Sequence, residues 1–206
     1  MALTVTTPAN STKLCLVGDI MDEMDVSPED EATLDRMIQQ ASDSIVKYCE
    51  RQFAKQTYTE TVPGFGDNHL LLSVAPIASV TSVVSDGLAI TDFVLQEPES
   101  GLLYREAGWL WTTKQIGMVS PKPAPYGEEF SYTVVYVAGY DLPDHMLPTL
   151  PGPIERAAII TVKDWFANRS RNLSIKKLRT TDLAVEHEDN AIPPTALRLL
   201  SPFRNV

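Results

Sequence analysis

Ser27-Pro28-Glu29-Asp30-Glu31-Ala32-Thr33-Leu34-Asp35-Arg36-Met37-Ile38-Gln39-Gln40-Ala41-Ser42-Asp43-Ser44-Ile45-Val46-Lys47-Tyr48-Cys49-Glu50-Arg51-Gln52-Phe53 is the stretch on which the fold turns. Ser27 can cap a helix, Pro28 suits its first position, and Glu29, Asp30 and Glu31 put negative charge on the positive end of the helix dipole. Leu34, Met37, Ile38, Ala41, Ile45, Tyr48, Cys49 and Phe53 recur at steps of three and four, while Asp35, Arg36, Gln39, Gln40, Asp43, Lys47 and Glu50 fill the other face. The spacing predicts a helix over Pro28 to Phe53, about 26 residues and roughly 39 Å long, with one apolar side that needs a partner.

Working outward, Met1 to Thr12 is rich in Thr, Ser and Asn and reads as an arm with little structure of its own. Leu14, Leu16, Val17, Ile20, Met21 and Met24 suit a short helix, against which Gly18 counts. Between Asp19 and Glu31 stand seven acids (Asp19, Asp22, Glu23, Asp25, Glu29, Asp30 and Glu31) and no base. They form either a solvated face or a patch turned to a basic partner or a DNA channel.

After Phe53 the period changes from helical to two. Thr57 to Val62 alternates, Pro63 to Asn68 is turn chemistry, and Leu70 to Ser73, Ser79 to Val84, Leu88 to Ile90 and Asp92 to Leu95 are short strand runs. Ser85-Asp86-Gly87 is a hairpin signal. Gly101 to Tyr104 and Gly108 to Trp111 add candidates, Pro121 to Pro125 reads as a loop, and Phe130 to Val137 is the strongest strand. Trp109 and Trp111 would share a strand face, as base-stacking platforms do, although core or subunit contact is the commoner use. The fold class is therefore α+β: a helical core carrying an inserted antiparallel β-region of about six short strands. Its segments are 1–56 (arm and long helix), 57–140 (β-region), 141–170 (connector and second core helix) and 171–206 (mobile charged loop and C-terminal docking segment).

Helical period returns at Pro153 and Glu155, with Ile154, Ala157, Ala158, Thr161, Val162, Trp165 and Phe166 forming a wide apolar band up to Asn168. This is the natural partner of the first helix. Ile159 and Ile160 widen the band beyond what one neighbour covers, which leaves room for a contact with another subunit. Arg169 to Arg179 carries five bases and Asp182 to Asp189 four acids, blocks typical of a mobile loop. Pro193-Pro194 can start a last short helix over Thr195 to Leu200.

Composition sets further bounds. A chain of 206 residues that is 44% hydrophobic and 21% charged is globular, and it has neither a membrane-length apolar run nor a signal-peptide layout at its start. It reads as a soluble protein made in a cytoplasm, with Cys15 and Cys49 reduced. A net charge of −10, from 17 Lys plus Arg against 27 Asp plus Glu, argues against a protein that grips nucleic acid by its phosphates. His69, His145 and His187 are scattered, and the four consecutive groups Glu186 to Asp189 are poorly placed to converge on one ion. No phosphate loop or nucleophile elbow occurs, and no catalytic, cofactor or metal residues are assigned.

Several phrases in order carry a resemblance across nearly the whole chain: Ile45-Val46-Lys47-Tyr48-Cys49-Glu50-Arg51-Gln52-Phe53, Ala75-Pro76-Ile77-Ala78-Ser79-Val80-Thr81-Ser82-Val83 and Tyr136-Val137-Ala138-Gly139-Tyr140. Pro153-Ile154-Glu155-Arg156-Ala157-Ala158 with Trp165-Phe166-Ala167-Asn168-Arg169, and Leu199-Leu200-Ser201-Pro202-Phe203-Arg204, complete the set. The chain resembles the head-to-tail connector, or adaptor, proteins of long-tailed bacteriophages, in the longer form whose helical core carries a β-insertion. It departs from the family's pattern in the acid-rich, Gly18-containing region Leu14 to Met24 and in a longer, more charged loop from Asn172 to Ala191.

The resemblance implies a non-enzymatic virion protein at the head–tail junction, assembled in the host cytoplasm. Its partners would be further copies of itself in a ring of twelve, the portal, a tail or stopper protein, and double-stranded DNA passing through without tight binding; no membrane or cofactor is implied. Leu197, Leu199, Leu200, Phe203 and Arg204 would dock on the portal. Leu34, Ile38, Ile45, Ile159, Val162, Trp165 and Phe166 would form core or ring interface. Asp19, Asp22, Glu23 and Asp25 would line the channel or pair with Lys176 and Lys177 of a neighbour. The alternatives are a soluble α+β enzyme, another phage morphogenesis factor such as a stopper or tail-terminator, or a β-rich ligand-binding module.

Overall fold

The computed structural model describes residues 2–24, 26–110, 132–169 and 192–204, together with the backbone of 177–180 and 183–186. The chain divides into two compact units, one of Met1–Asn10 with Lys55–Gly139 and one of Ser11–Ala54 with Tyr140–Val206. The class is α+β, with four helices and antiparallel sheets among the described residues.

The helical unit contains α1 (Val17–Met24), α2 (Glu31–Cys49), α3 (Gly152–Ala167) and α4 (Pro194–Leu200). Helix α3 packs against α1, α2 and α4. Leu34, Ile38, Ala41, Ile45 and Cys49 of α2 and Ile154, Ala157, Ala158 and Val162 of α3 are all fully buried, as the apolar periods require. Ala157 and Ala158 keep α3's contact face small. The wide band on α3 meets three helices within the chain, while its Ile160, Trp165 and Phe166 stay half-buried.

The long helix is shorter than its pattern. Pro28–Asp30 forms a tight 3-10 turn, and the Ser27 side chain makes no capping bond although its carbonyl accepts the Asp30 N–H at 3.0 Å. At the far end Glu50 takes a left-handed conformation (φ 51°), and the Arg51 N–H turns back to the Val46 carbonyl at 3.3 Å. Phe53, in phase with the helical stripe, is nonetheless buried from beyond the helix end. Its carbonyl accepts the Tyr140 N–H at 2.7 Å.

Two strands, β9 (Lys177–Thr180) and β10 (Leu183–Glu186), pair antiparallel within the segment expected to be loop. Asp25, Trp111, Pro121 to Pro125, Lys176, His187 and the side chain of Lys177 lie outside the described residues.

The β unit holds a five-stranded sheet in the order β1 (Ala2–Thr7), β2 (Gln56–Val62), β8 (Tyr132–Ala138), β4 (Ile77–Ser85), β5 (Leu88–Ala89), and a three-stranded sheet of β3 (His69–Leu71), β7 (Leu102–Tyr104) and β6 (Val94–Glu97). The first residues are thus an edge strand, not a loose arm: Ala2 pairs with Thr61 and Val5 with Tyr58. The alternation of β2 and β8 buries Tyr58, Val62, Tyr132, Val134, Tyr136 and Ala138 on one face, where they meet Leu70 and Leu103 of the smaller sheet. Asp86 and Gly87, both with positive φ, make the β4–β5 turn that the Asp-Gly pair predicts.

Gly108 to Leu110 is not a strand. It is tied instead to the opposite loop, the Trp109 N–H donating to the Asp67 carbonyl and the Gly66 N–H to the Trp109 carbonyl, both at 2.8 Å. A Cβ on Gly64 would lie 2.0 Å from the Leu110 carbonyl oxygen, so only glycine permits this approach. Trp109 is a core residue and no stacking platform: fully buried, it meets Tyr132 edge-on at 5.1 Å.

Candidate functional site

In a protein without a catalytic constellation, the residues to place are those expected at contacts. Among the described residues no group of His, Cys, Asp and Glu is arranged to hold a metal ion, and no helix is long and apolar enough to cross a membrane. Cys15 and Cys49 are free and buried. Burial, with Asp19 and Glu155 nearby, pushes the Cys15 thiol up to about 12, and burial pushes Cys49 up to about 11, which disfavours both thiolates.

The acids of α1 and the following turn meet bases of α3 and of the residues just after it. Glu23 accepts from Arg156 and, at 2.8 Å, from Lys163; these hydrogen bonds hold its carboxyl below the ordinary 4.5. Asp30 pairs with Arg169 at 3.1 Å, and the Arg169 guanidinium lies 3.9 Å from the Phe166 ring centroid. Asp19 accepts the Leu16 N–H at 3.3 Å, and Asp22 is exposed. Part of the acidic run is thus engaged within its own chain. The sequence separation of Glu23 from Arg156 and of Asp30 from Arg169 hides these pairs from any local reading.

The interface or core group resolves mostly into core. Leu34, Ile38, Ile45 and Val162 have no exposure and Ile159 very little, while Trp165 and Phe166 are half-buried. Of the docking segment, Leu200 and Ala196 are fully buried where α4 packs on α3. Leu197, Leu199 and Phe203 are half-buried and Arg204 is exposed, its guanidinium 5.6 Å from the Tyr48 ring centroid and 4.0 Å from Glu50.

Two buried polar residues escaped sequence reasoning. Ser42 donates to the Ile38 carbonyl at 2.7 Å and accepts the Leu14 N–H at 3.0 Å, which anchors the segment before α1 onto α2. Glu60, fully buried on β2, accepts from the Tyr136 hydroxyl at 2.7 Å, from the Ser73 N–H at 3.0 Å and from the Ser73 hydroxyl. Burial, and then the bond to Glu60, pushes the Tyr136 hydroxyl pKa up. The alternation of Thr57 to Val62 placed Glu60 on the inward face, the one signal that could have found it.

The fold is that of solved phage-like necks. The chain superposes on a chain of the neck of an empty GTA particle computed with C6 symmetry (TM-score 0.60, 14% identity) and on one of the neck of a native GTA particle computed with C12 symmetry (TM-score 0.60, 15% identity). A chain of the virion of a native gene transfer agent particle gives a TM-score of 0.58 at 15% identity; each comparison covers 100% of this chain and 96% of the other. At these identities the likeness is one of fold. No curated protein sequence matches the chain. Residues 24–206 match the model of the family described as HCP, head completion protein. The chain therefore belongs to the head completion protein family, and is a structural, non-enzymatic virion protein.

Proposed function

We propose that this protein is a connector, or adaptor, subunit: copies form a ring beneath the portal, extend the DNA channel and offer the attachment surface for the tail or a stopper. The observation that carries this reading is the end-to-end match of fold to a neck chain computed with C12 symmetry, in a chain whose family completes heads. A closed ring of identical subunits uses one heterologous contact repeated around an axis. A net charge of −10 supports a lumen that DNA passes without adhering, because a basic wall would bind phosphates and slow ejection.

Within this reading the helical unit carries the ring and portal contacts. Leu197, Leu199, Phe203 and Arg204 are the portal-facing candidates, since they keep exposed area while Leu200 is used inside the fold. Asp19 and Asp22 are the channel-facing candidates.

The test is co-elution of the purified protein with its cognate portal in size-exclusion chromatography, with Phe203→Asp and Arg204→Glu as variants. The reading expects a stable complex that both variants weaken without lowering the melting temperature. A portal that never retains the protein would overturn it.

A further inference from the structure

Among the described residues, α1 is the helix of its unit with the least burial. Ile20 is its one buried residue, whereas α2 buries Leu34, Ile38, Ala41, Ser42, Ile45 and Cys49, and even the shorter α4 buries Ala196 and Leu200. Eight residues are too few to hold a helix in water without packing. Gly18 lowers the helical preference further, and a Cβ there would meet nothing within 4 Å, so no close approach requires the glycine.

What packing does not supply, Glu23 supplies at the surface. From the last turn of α1 its carboxylate accepts from Arg156 and, at 2.8 Å, from Lys163, both on α3. The paired side chains are partly exposed, so these ties are weak and screened by salt. At the other end of α1, burial and then the like charge of Asp19 push the Glu155 carboxyl of α3 above its ordinary range, so that end is repelled where Glu23 is held.

The chain on either side is fixed without help from α1. Ahead of it Leu14 and Cys15 are buried, the Leu14 N–H donates to the Ser42 hydroxyl at 3.0 Å, and the Lys13 ammonium meets Asp35 at 2.6 Å, both on α2. Behind it the Asp30 N–H closes a tight turn onto the Ser27 carbonyl, and the Asp30 carboxylate pairs with Arg169 at 3.1 Å. Exposed Leu16 and Ser27 stand between these anchors and the helix, where the chain can turn without disturbing α2.

We propose that α1 is a latch: it undocks and unravels on its own, as a minor population, while α2, α3 and α4 stay folded, and the pairing of Glu23 with Arg156 and Lys163 sets how often it is open. Opening within a folded domain starts where apolar burial is least and the ties face solvent. Undocking frees the two bases together with Asp19, Asp22 and Glu23, so a chain that binds any of them shifts the latch toward its open form. This inference does not depend on the ring reading.

The test is hydrogen–deuterium exchange of the full chain at neutral pH, read by mass spectrometry on peptides covering Val17–Met24 and Glu31–Cys49 and corrected for the intrinsic rate of each sequence. The α1 amides should exchange about tenfold or more faster than those of Leu34 to Cys49. Glu23→Gln, or a rise in salt from about 0.05 M to about 0.5 M, should speed the α1 amides about two- to fivefold and leave α2 unchanged. Gly18→Ala should slow them about fourfold, the scale of the helix-propensity difference at a position where the new methyl group meets nothing. Asp30→Asn breaks a surface pair that does not involve α1 and should leave the α1 amides unchanged. Exchange in α1 no faster than in α2 would overturn the latch, and an unchanged rate in Gly18→Ala would overturn its unravelling. An unchanged rate in Glu23→Gln, or an equal acceleration by Asp30→Asn, would overturn Glu23 as its tie.

Discussion

The two units hold together by different means. The helical unit has an aliphatic interior, Leu34, Ile38, Ile45, Ile154 and Val162, with its helices also joined at the surface by Glu23 to Arg156 and Lys163 and by Asp30 to Arg169. The β unit has an aromatic interior of Tyr58, Trp109, Tyr132 and Tyr136, into which it admits the ionisable Glu60. Dry, directional contacts make the β unit sensitive to single interior changes. Solvent-exposed ion pairs leave the helical unit's crossings open to pH and ionic strength.

The largest effect expected from breaking this contrast is Trp109→Ala, which removes a fully buried ring packed against Tyr132 and Phe93 and should cost about 3–5 kcal/mol. Chemical denaturation followed by near-ultraviolet circular dichroism would register it; a loss below about 1 kcal/mol would mean that the β unit does not depend on this core. Next is Glu60→Gln, which keeps the shape but turns an amide N–H₂ toward donors from Ser73 and Tyr136, at a cost of about 1–3 kcal/mol by the same measurement. Tyr58, whose buried hydroxyl has no hydrogen-bond partner among the described residues, should gain or lose little on Tyr58→Phe.

In the helical unit the informative variable is pH. Glu155 is pushed above its ordinary value by burial and then by Asp19, so its proton uptake on acidification favours the folded form. Glu23 is held below 4.5, so its contribution is complete above that value and disappears as pH falls through the lower folded value. Helical circular dichroism during acid titration should therefore show a small gain in resistance to denaturant followed by a loss. Added salt should shrink the second phase, and a salt-independent loss would remove Glu23 as its cause. The smallest effect is kinetic: Cys15 and Cys49 should label slowly with thiol reagents under native conditions, since burial disfavours both thiolates, and fast labelling would indicate local opening of α1 or of the end of α2.

Much of the architecture was legible because periodicity and turn chemistry are local. The stripe from Leu34 to Cys49, the helix from Pro153, the alternation of Thr57 to Val62 and the Asp86-Gly87 turn each contain their own signal. Boundaries were less so: Phe53 continues the helical phase although Glu50 has already turned the chain, and Ser27 has the chemistry of a cap in a place where a 3-10 turn intervenes. What was hidden depends on distant residues. Thr4 and Val5 look like a polar arm until they are set beside Thr59 and Tyr58, and the acids of α1 look solvated until α3 supplies Arg156 and Lys163. The family was readable from phrases spread along the chain, whereas which side chains remain for partners required knowing that Leu200 and Ile38 are used inside.

The central claim, that this chain forms a ring through its helical unit beneath the portal, is tested most directly by a cryo-electron microscopy reconstruction of the neck containing it. The account predicts a symmetric ring apposed to the portal, with contacts between neighbouring copies made by residues of Ser11–Ala54 and Tyr140–Val206. A ring joined only through β-unit residues, or density for this chain away from the portal, would contradict it.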